Sequence, residues 1–306
     1  MSEPQAYLNG NFVPASQAVV QVYDAGFVQG TTVAEQLRTF GGRLFELEEH
    51  LERLFRSLAI IGVDPGLTAA QLAEAAKALA RHNHGLLDPA DDLGMTIFVT
   101  PGPYPAVAPP GAHIPTLCIH TFPLAFRLWA EKYERGEQLA TTDVEQTSPR
   151  SWPPELKCRS RMHYFLADRQ ARARYDGARA LMLDSQGFVT EATTANVLVY
   201  RSGEGLSTPP RTKVLPGISL AVLADLAKQE SIVLTERDIT TAEVAAADEV
   251  LLTSTSPCVL PVVRFNGKPI AAGEPGPIHE RLLAAWSRLV GLDIRNQARR
   301  FSVRSG

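Results

Sequence analysis

The spacing of hydrophobic and polar residues along the chain predicts a mixture of helices and strands. Leucine recurs at helical spacing between Glu46 and Ile61, at positions 47, 51, 54 and 58, which predicts an amphipathic helix. The apolar runs Met95–Thr100 and Pro115–His120 predict strands. Further helices are predicted near residues 69–83, 162–175 and 277–290. We therefore expect an α/β protein with mixed sheets.

A predicted hairpin carries an acidic residue that follows a lysine in the sequence. Ala178–Leu183 and the run after Gly187 indicate two strands joined by the turn Asp184–Gly187. Glu191 lies on the second strand, and Lys157 precedes the first. A lysine held at a fixed place can form a Schiff base with a carbonyl group. A carboxylate that faces the pyridinium nitrogen of pyridoxal phosphate would strengthen that ring as an electron sink.

Composition is that of an ordinary soluble globular protein. The chain has 306 residues, 45% hydrophobic and 21% charged, and this length suggests two domains. A formal net charge of -3 gives no reason to expect nucleic acid or an anionic membrane as a partner. No apolar run approaches the roughly 18 to 20 residues that span a bilayer, and the first residues lack the features of a signal peptide. We therefore expect a cytoplasmic protein.

Cysteine usage and the C-terminal charge add two expectations. The 3 cysteines are far apart and odd in number, so neither a disulfide framework nor a zinc site is indicated, and no metal is predicted. The arginine-rich tail after Ile294 is expected to be a frayed or packing terminus rather than a binding arm.

Several motifs, taken in chain order, resemble those of the class IV, fold type IV pyridoxal-phosphate aminotransferases. They are Leu156-Lys157, Asp184-Ser185-x-Gly187-x-Val189-x-Glu191, Asn196, and Leu215-Pro216-Gly217-Ile218-Ser219. That group includes branched-chain and D-amino-acid aminotransferases, R-selective amine transaminases and aminodeoxychorismate lyase. The resemblance covers nearly the whole chain, from Tyr7 to the last predicted helix near Leu292.

The resemblance implies two α/β domains with the cofactor pyridoxal 5'-phosphate between them, and a homodimer. The smaller N-terminal domain is expected at residues 1–122. The larger C-terminal domain, which would carry the Schiff-base lysine, is expected at residues 123–306. Pro123 supports this boundary, because a proline cannot continue a β ladder.

The resemblance also implies the roles of two catalytic-site residues. Lys157 would form the Schiff base with the cofactor and later, as a free amine, would move a proton. Glu191 would keep the pyridine nitrogen protonated, because a nearby opposite charge favours the cationic form.

Four residues are implied as contacts of the cofactor phosphate, namely Arg53, Ile218, Ser219 and Thr255. A helix N-terminus offers unpaired N–H groups, and a guanidinium can engage two phosphate oxygens at once. The residues alone leave other roles open. By periodicity Arg53 would be solvated, Ser219 would be a plain helix cap and Thr255 would form a turn. His50, in the same predicted helix as Arg53, is expected at the edge of that helix.

The expected substrate pocket departs from the family pattern. Ala34 stands where an aromatic residue is common, and Gln29 stands where some members have tyrosine. Near the proline-rich loop at 101–110, the chain lacks the tyrosine-x-arginine pair that some relatives use for the substrate carboxylate. These departures argue against a typical branched-chain pocket and admit a larger or more polar substrate. They leave recognition of the substrate carboxylate unassigned.

The sequence therefore predicts a transaminase that moves an amino group between an amino acid, or an amine, and a 2-keto acid with ping-pong kinetics. Arg161 follows Lys157 by four positions and resembles the aminodeoxychorismate lyase subgroup. A lyase that releases pyruvate and 4-aminobenzoate is therefore the alternative. A non-catalytic protein that kept the fold is a third hypothesis, disfavoured because Lys157 and Glu191 are both present.

Overall fold

The chain divides into two compact units. The computed structural model describes residues 3–108 and 114–304. Unit 1 comprises Met1–Leu124 and Leu156–Ser160, and unit 2 comprises Ala125–Glu155 and Arg161–Gly306. The first change of unit lies close to the boundary expected after residue 122. Residues 109 and 110 of the predicted proline-rich loop lie outside the described residues.

Within the described residues, unit 1 contains an antiparallel sheet of 6 strands. The strands are β1 (Gln5–Leu8), β2 (Asn11–Pro14), β3 (Val33–Phe40), β4 (Arg43–Leu44), β5 (Leu93–Thr100) and β6 (Thr116–Pro123). Their order across the sheet is β2-β1-β6-β5-β3-β4. The strands predicted at 95–100 and 115–120 are therefore confirmed as β5 and β6.

The unit contains the short helix α1 (Ala25–Val28), and helices α2 (Leu47–Ile61) and α3 (Ala69–His84), which cover one face of the sheet. A short 3-10 helix lies at Ala15–Gln17. The leucine stripe of α2 packs with α3 and with β3, β5 and β6 in one hydrophobic core. Two local signals set the helix ends: α2 ends at Gly62 with φ 67°, and α3 begins at a capping box formed by Thr68 and Gln71.

The segment that carries Lys157 belongs to unit 1. The backbone N–H of Ala34 in β3 donates to the carbonyl oxygen of Lys157 at 3.0 Å, and the N–H of Arg159 donates to the carbonyl oxygen of Thr32 at 2.8 Å. The sequence had assigned Lys157 to the larger C-terminal domain, and the structure corrects this assignment. The reason is that residues 157–159 pair with the edge of β3, from which they are distant in sequence.

Within the described residues, unit 2 is built on a mixed sheet of 9 strands. The strands are β7 (Glu137–Thr141), β8 (Arg179–Leu183), β9 (Val189–Ala192), β10 (Ala195–Arg201), β11 (Gly205–Thr208), β12 (Leu234–Glu236), β13 (Glu249–Ser254), β14 (Cys258–Phe265) and β15 (Lys268–Pro269). The main order is β12-β11-β10-β13-β14-β7-β8-β9, with β15 beside β14. Strand β7 runs parallel to both of its neighbours, whereas β8 and β9 form the predicted antiparallel hairpin.

The α-helices of unit 2 include three that the sequence did not predict. The unit contains α4 (Lys132–Arg135), α5 (Met162–Arg174), α6 (Ile218–Gln229), α7 (Thr241–Ala245), α8 (Pro277–Val290) and α9 (Ile294–Ser302), with a 3-10 helix at Phe126–Leu128. The three that were not predicted are α4, α7 and α9. The tail expected to fray or pack is helix α9, whose first turn is capped by Asp293. Its residues Ile294 and Ala298 are fully buried.

Two kinds of feature do not occur in residues 3–108 and 114–304. No helix there combines the length and apolar character needed to cross a membrane. No cluster of three or more His, Cys, Asp or Glu side chains there could hold a metal ion.

The leucine stripe of α2 leads to a prediction about stability. Leu54 is fully buried in the core of unit 1. Leu54→Ala should lower the free energy of unfolding by about 2 to 5 kcal/mol in urea denaturation, because it removes packed methyl groups and leaves a cavity. Ile60→Ala on the same helix is the control, since Ile60 is 39% exposed. Equal losses in the two variants would contradict the packing described.

Candidate active site

Lys157 is held in unit 1 by main-chain contacts on two sides. Its backbone N–H donates to the hydroxyl of Ser57 in α2 at 3.2 Å. The next residue, Cys158, forms an antiparallel β-bridge with Val33 of β3. Strand β3 and helix α2 thus fix the lysine backbone, while the side chain itself is half-buried.

A buried charged cluster lies on the helix that holds Lys157. Glu35 of β3 accepts hydrogen bonds from Nε and Nη2 of Arg53, each at 2.7 Å. Nδ1 of His50 lies 2.7 Å from the same carboxylate. Exposed fractions of 0% for Glu35, 2% for His50 and 4% for Arg53 show that the cluster is shielded from water.

This cluster corrects two expectations drawn from helix periodicity. Arg53 is buried rather than solvated, and His50 is buried rather than at the helix edge. The physical reason is the carboxylate of Glu35, which supplies a counter-charge and acceptors inside the unit. No pattern within α2 could reveal a partner that lies on a strand.

The charges in the cluster are set by their surroundings. Burial acts to raise the pKa of Glu35, but the charge of Arg53 and the hydrogen bonds from Arg53 and His50 outweigh it and lower the pKa to about 2. Burial lowers the pKa of His50, although its hydrogen bond to Glu35 opposes that shift. The positive charge of Lys157 also lowers the pKa of His50.

Glu191 lies in unit 2, on β9, and is 5% exposed. Its Oε1 accepts from the hydroxyl of Tyr164 at 2.5 Å and from Nε2 of Gln146 at 2.6 Å. Burial, aided by the charge of Glu191, raises the pKa of Tyr164 well above its usual value. Tyr164 therefore stays protonated, and its O–H donates a hydrogen bond to the carboxylate. The sequence offered no signal for Gln146, which lies in an irregular polar segment.

The N-terminus of α6 is shaped by Asn196. Its Nδ2 donates to the carbonyl oxygen of Leu215 at 3.0 Å. A Cβ atom on Gly217 would collide with Oδ1 of Asn196, so only glycine fits at this helix start. Gly217 is the N-cap residue, and Ser219 is therefore not the cap. Ile218 and Ser219 lie half-buried in the first turn, where N–H groups have no intrahelical acceptor.

Thr255 lies half-buried in the turn between β13 and β14. The hydroxyl of Thr253 donates to the carbonyl oxygen of Cys258 at 2.8 Å across this turn. The hydroxyl of Tyr133 donates to the carbonyl oxygen of Pro257 at 2.7 Å. The turn around Thr255 is thus fixed from both ends.

The predicted site residues fall in both units. Lys157 and Arg53 are in unit 1, where α2 bears Arg53 and the partner of the Lys157 backbone. The other four are in unit 2, namely Glu191, Ile218, Ser219 and Thr255. Ile218 and Ser219 share one helix turn, whereas Glu191 lies on a strand.

Comparison with known proteins defines the family. A family model described as amino-transferase class IV matches residues 32–265. A D-alanine aminotransferase of Bacillus licheniformis is 30% identical over 90% of this chain and 94% of its own length. A putative branched-chain-amino-acid aminotransferase of Methanocaldococcus jannaschii is 31% identical, over 90% of this chain and 93% of its own. The chain belongs to the class IV aminotransferases.

A solved structure confirms the fold predicted from the resemblance. The branched-chain amino acid aminotransferase of Escherichia coli superposes with a TM-score of 0.85 at 26% identity. The match covers 94% of this chain and 95% of that one. The chain thus has the fold type IV architecture and is an aminotransferase. These relatives lend no support to the lyase alternative.

The buried cluster leads to a prediction about stability and pH. Glu35→Gln should lower the free energy of unfolding by about 3 kcal/mol at pH 7, because it removes a buried counter-charge of Arg53. The folded pKa of about 2 lies below the ordinary 4.5. The ionised carboxylate therefore stabilises the fold fully above about pH 4.5, and this contribution is lost as the pH falls toward 2.

Urea denaturation between pH 7 and pH 3 measures this difference, which should shrink as the pH falls. Glu52→Gln is the matched control, since Glu52 and Arg56 form an exposed pair at 3.5 Å on the same helix. Little change is expected in the control. A loss for Glu35→Gln that stays constant over this pH range would show that the charge of Glu35 does not stabilise the fold.

Proposed function

We propose that the chain is a pyridoxal 5'-phosphate-dependent transaminase in which Lys157 is the covalent attachment point of the cofactor. The observation that carries this proposal is the fixed backbone of Lys157, held by Ser57 and by pairing with β3. A lysine can act at a defined place only if its backbone is held, because its side chain has many rotamers. Family membership supports the reaction class.

The chemistry of the donor set fits this cofactor. Lys157 offers a primary amine for an aldehyde, and Glu191 offers a buried carboxylate for a pyridine nitrogen. The glycine-started turn of α6 offers backbone N–H groups for a phosphate. When bound, the cofactor supplies a ring that withdraws electrons from the substrate carbon.

Lys157 would move the proton. An amino substrate would displace Lys157 from the cofactor and leave Nζ as a free amine. This amine would remove the proton from the substrate carbon that bears nitrogen, and would deliver it to C4' of the cofactor.

Glu191 would hold the charge opposite the pyridine nitrogen. An anionic neighbour favours the protonated ring nitrogen, which is the form that withdraws electrons best. The hydrogen bonds from Tyr164 and Gln146 fix the orientation of this carboxylate. Two donors on one oxygen also offset the cost of burying its charge.

Four residues would hold the phosphate, as the family resemblance implies: Arg53, Ile218, Ser219 and Thr255. The first turn of α6 contributes oriented N–H groups and the positive end of a 12-residue helix. Two N–H groups of Arg53 donate to Glu35. The carboxylate therefore fixes the plane of the guanidinium group that would face the phosphate.

The amino donor and the keto-acid acceptor would react in turn, with ping-pong kinetics. The two relatives are named for different amino donors, D-alanine in one case and branched-chain amino acids in the other. Their names therefore do not identify one donor for this chain. We also propose a homodimer, which the family resemblance supports, and a cytoplasmic location, which is the expectation from the sequence.

The visible spectrum of the purified protein with pyridoxal 5'-phosphate tests the proposal. A yellow band should appear, and one class among L-amino acids, D-amino acids and chiral amines should bleach it. Bleaching would identify the donor class, and restoration of the band by a 2-keto acid would show the second half of the reaction. Absence of the band, or a band that no donor bleaches, would contradict a transaminase.

A pair of lysine variants assigns the band to one residue. Lys157→Ala should lose the yellow band and the transaminase activity, because the variant lacks the amine that would bind the cofactor aldehyde. Lys268→Ala is the control, since Lys268 is exposed on β15. Activity near the wild-type level in Lys157→Ala would overturn the assignment of Lys157.

A further inference from the structure

Unit 1 contains a cavity of about 330 Å³ whose role the family assignment leaves open. It lies on the face of the sheet opposite α2 and α3, because its β5 residues alternate with those in the hydrophobic core. The lining includes Phe27, Thr32, Thr96, Phe98, His120 and Arg159. Two aromatic rings, one cation and several small polar groups therefore meet in one space.

Arg159 gives this cavity its positive charge. Burial lowers the pKa of His120, and the nearby charge of Arg159 lowers it further, so His120 is neutral at neutral pH. The backbone of Arg159 is fixed by its hydrogen bond to Thr32 at 2.8 Å. A guanidinium on a fixed backbone matches the two oxygens of a carboxylate.

The acidic residue of the cavity wall has a structural role. Asp24 accepts hydrogen bonds from the backbone N–H of Gly26 at 2.7 Å and from the hydroxyls of Thr100 at 2.9 Å and Thr116 at 2.7 Å. It is 2% exposed. Its oxygens thus tie α1 to β5 and β6, and the side chain forms part of the wall.

The position of Arg159 relative to Lys157 suits an amino acid. Both residues lie on the short stretch that pairs with β3, and residues two apart on such a stretch project to the same side. Their Cα atoms are therefore roughly 7 Å apart. In an amino acid the carboxylate is bonded directly to the carbon that would react at Lys157, so one ligand can engage both side chains.

We propose that Arg159 binds the substrate carboxylate and that the cavity holds an apolar or aromatic side chain against Phe98 and Phe27. The substrate class is then amino acids and 2-keto acids with such side chains, in preference to amines without a carboxylate. This assignment rests on the proposed function through Lys157. It supplies the carboxylate contact for which the chain lacks the tyrosine-x-arginine pair of some relatives.

The test is binding of an unreactive acid to the protein loaded with pyridoxal 5'-phosphate. Isothermal titration calorimetry compares 3-phenylpropanoate with 3-phenylpropanamide, which has the same body without the charge. Arg159→Ala should weaken binding of the acid about tenfold to a hundredfold, as expected for loss of a charged hydrogen bond, and should change binding of the amide less than twofold. Arg159→Lys should restore part of the affinity for the acid.

Arg43→Ala is the matched control, because Arg43 is an exposed arginine on β4 of the same unit; it should bind the acid like the wild type. Equal weakening of acid and amide in Arg159→Ala would overturn the proposal, because it would indicate a packing role. Unchanged binding of the acid, or no binding by the wild type, would overturn it as well.

The visible band separates this proposal from the proposed function. Arg159→Ala should keep the band, because the variant leaves Lys157 in place. If the wild-type band forms and a donor bleaches it, but Arg159→Ala binds the acid as tightly as the wild type does, only the carboxylate assignment is overturned. A wild type without the band would overturn the proposed function itself.

Discussion

Strand β3 is the constraint on which the candidate site depends. One of its edges pairs with β5 along most of its length, and the other edge receives the stretch that carries Lys157 and Arg159. Its own side chains alternate between two environments. Val33, Glu35 and Leu37 face the helices, whereas Thr32, just before the strand, lines the cavity. A single strand thus positions the lysine, the buried cluster and the cavity wall.

Burial of Glu35 is the energetic counterpart of this arrangement. A carboxylate removed from water is costly unless charged donors replace the lost solvation. Arg53 and His50 supply those donors at 2.7 Å. The same contacts orient the guanidinium, because two of its N–H groups are committed to one plane. The same hydrogen bonds therefore stabilise the packing of α2 on β3 and orient Arg53 for the proposed phosphate contact.

The sequence predicted the elements whose signal is local. The leucine period of α2 and the turn before β9 fall within short windows and were confirmed. Ordered motifs pointed to Lys157 and Glu191, whose catalytic roles stay predictions. What sequence reasoning missed is long-range: the counter-charge that buries Arg53, the pairing that draws Lys157 into unit 1, and Gln146 beside Glu191. Helix α9 was missed because its buried residues are few among arginines.

Attachment of the cofactor to Lys157 can be measured without any assumption about the substrate. The protein is loaded with pyridoxal 5'-phosphate, treated with borohydride to make the carbon-nitrogen bond permanent, digested, and analysed by mass spectrometry. We expect a phosphopyridoxyl group on the peptide that contains Lys157. Modification of a different lysine, or of none, would contradict it.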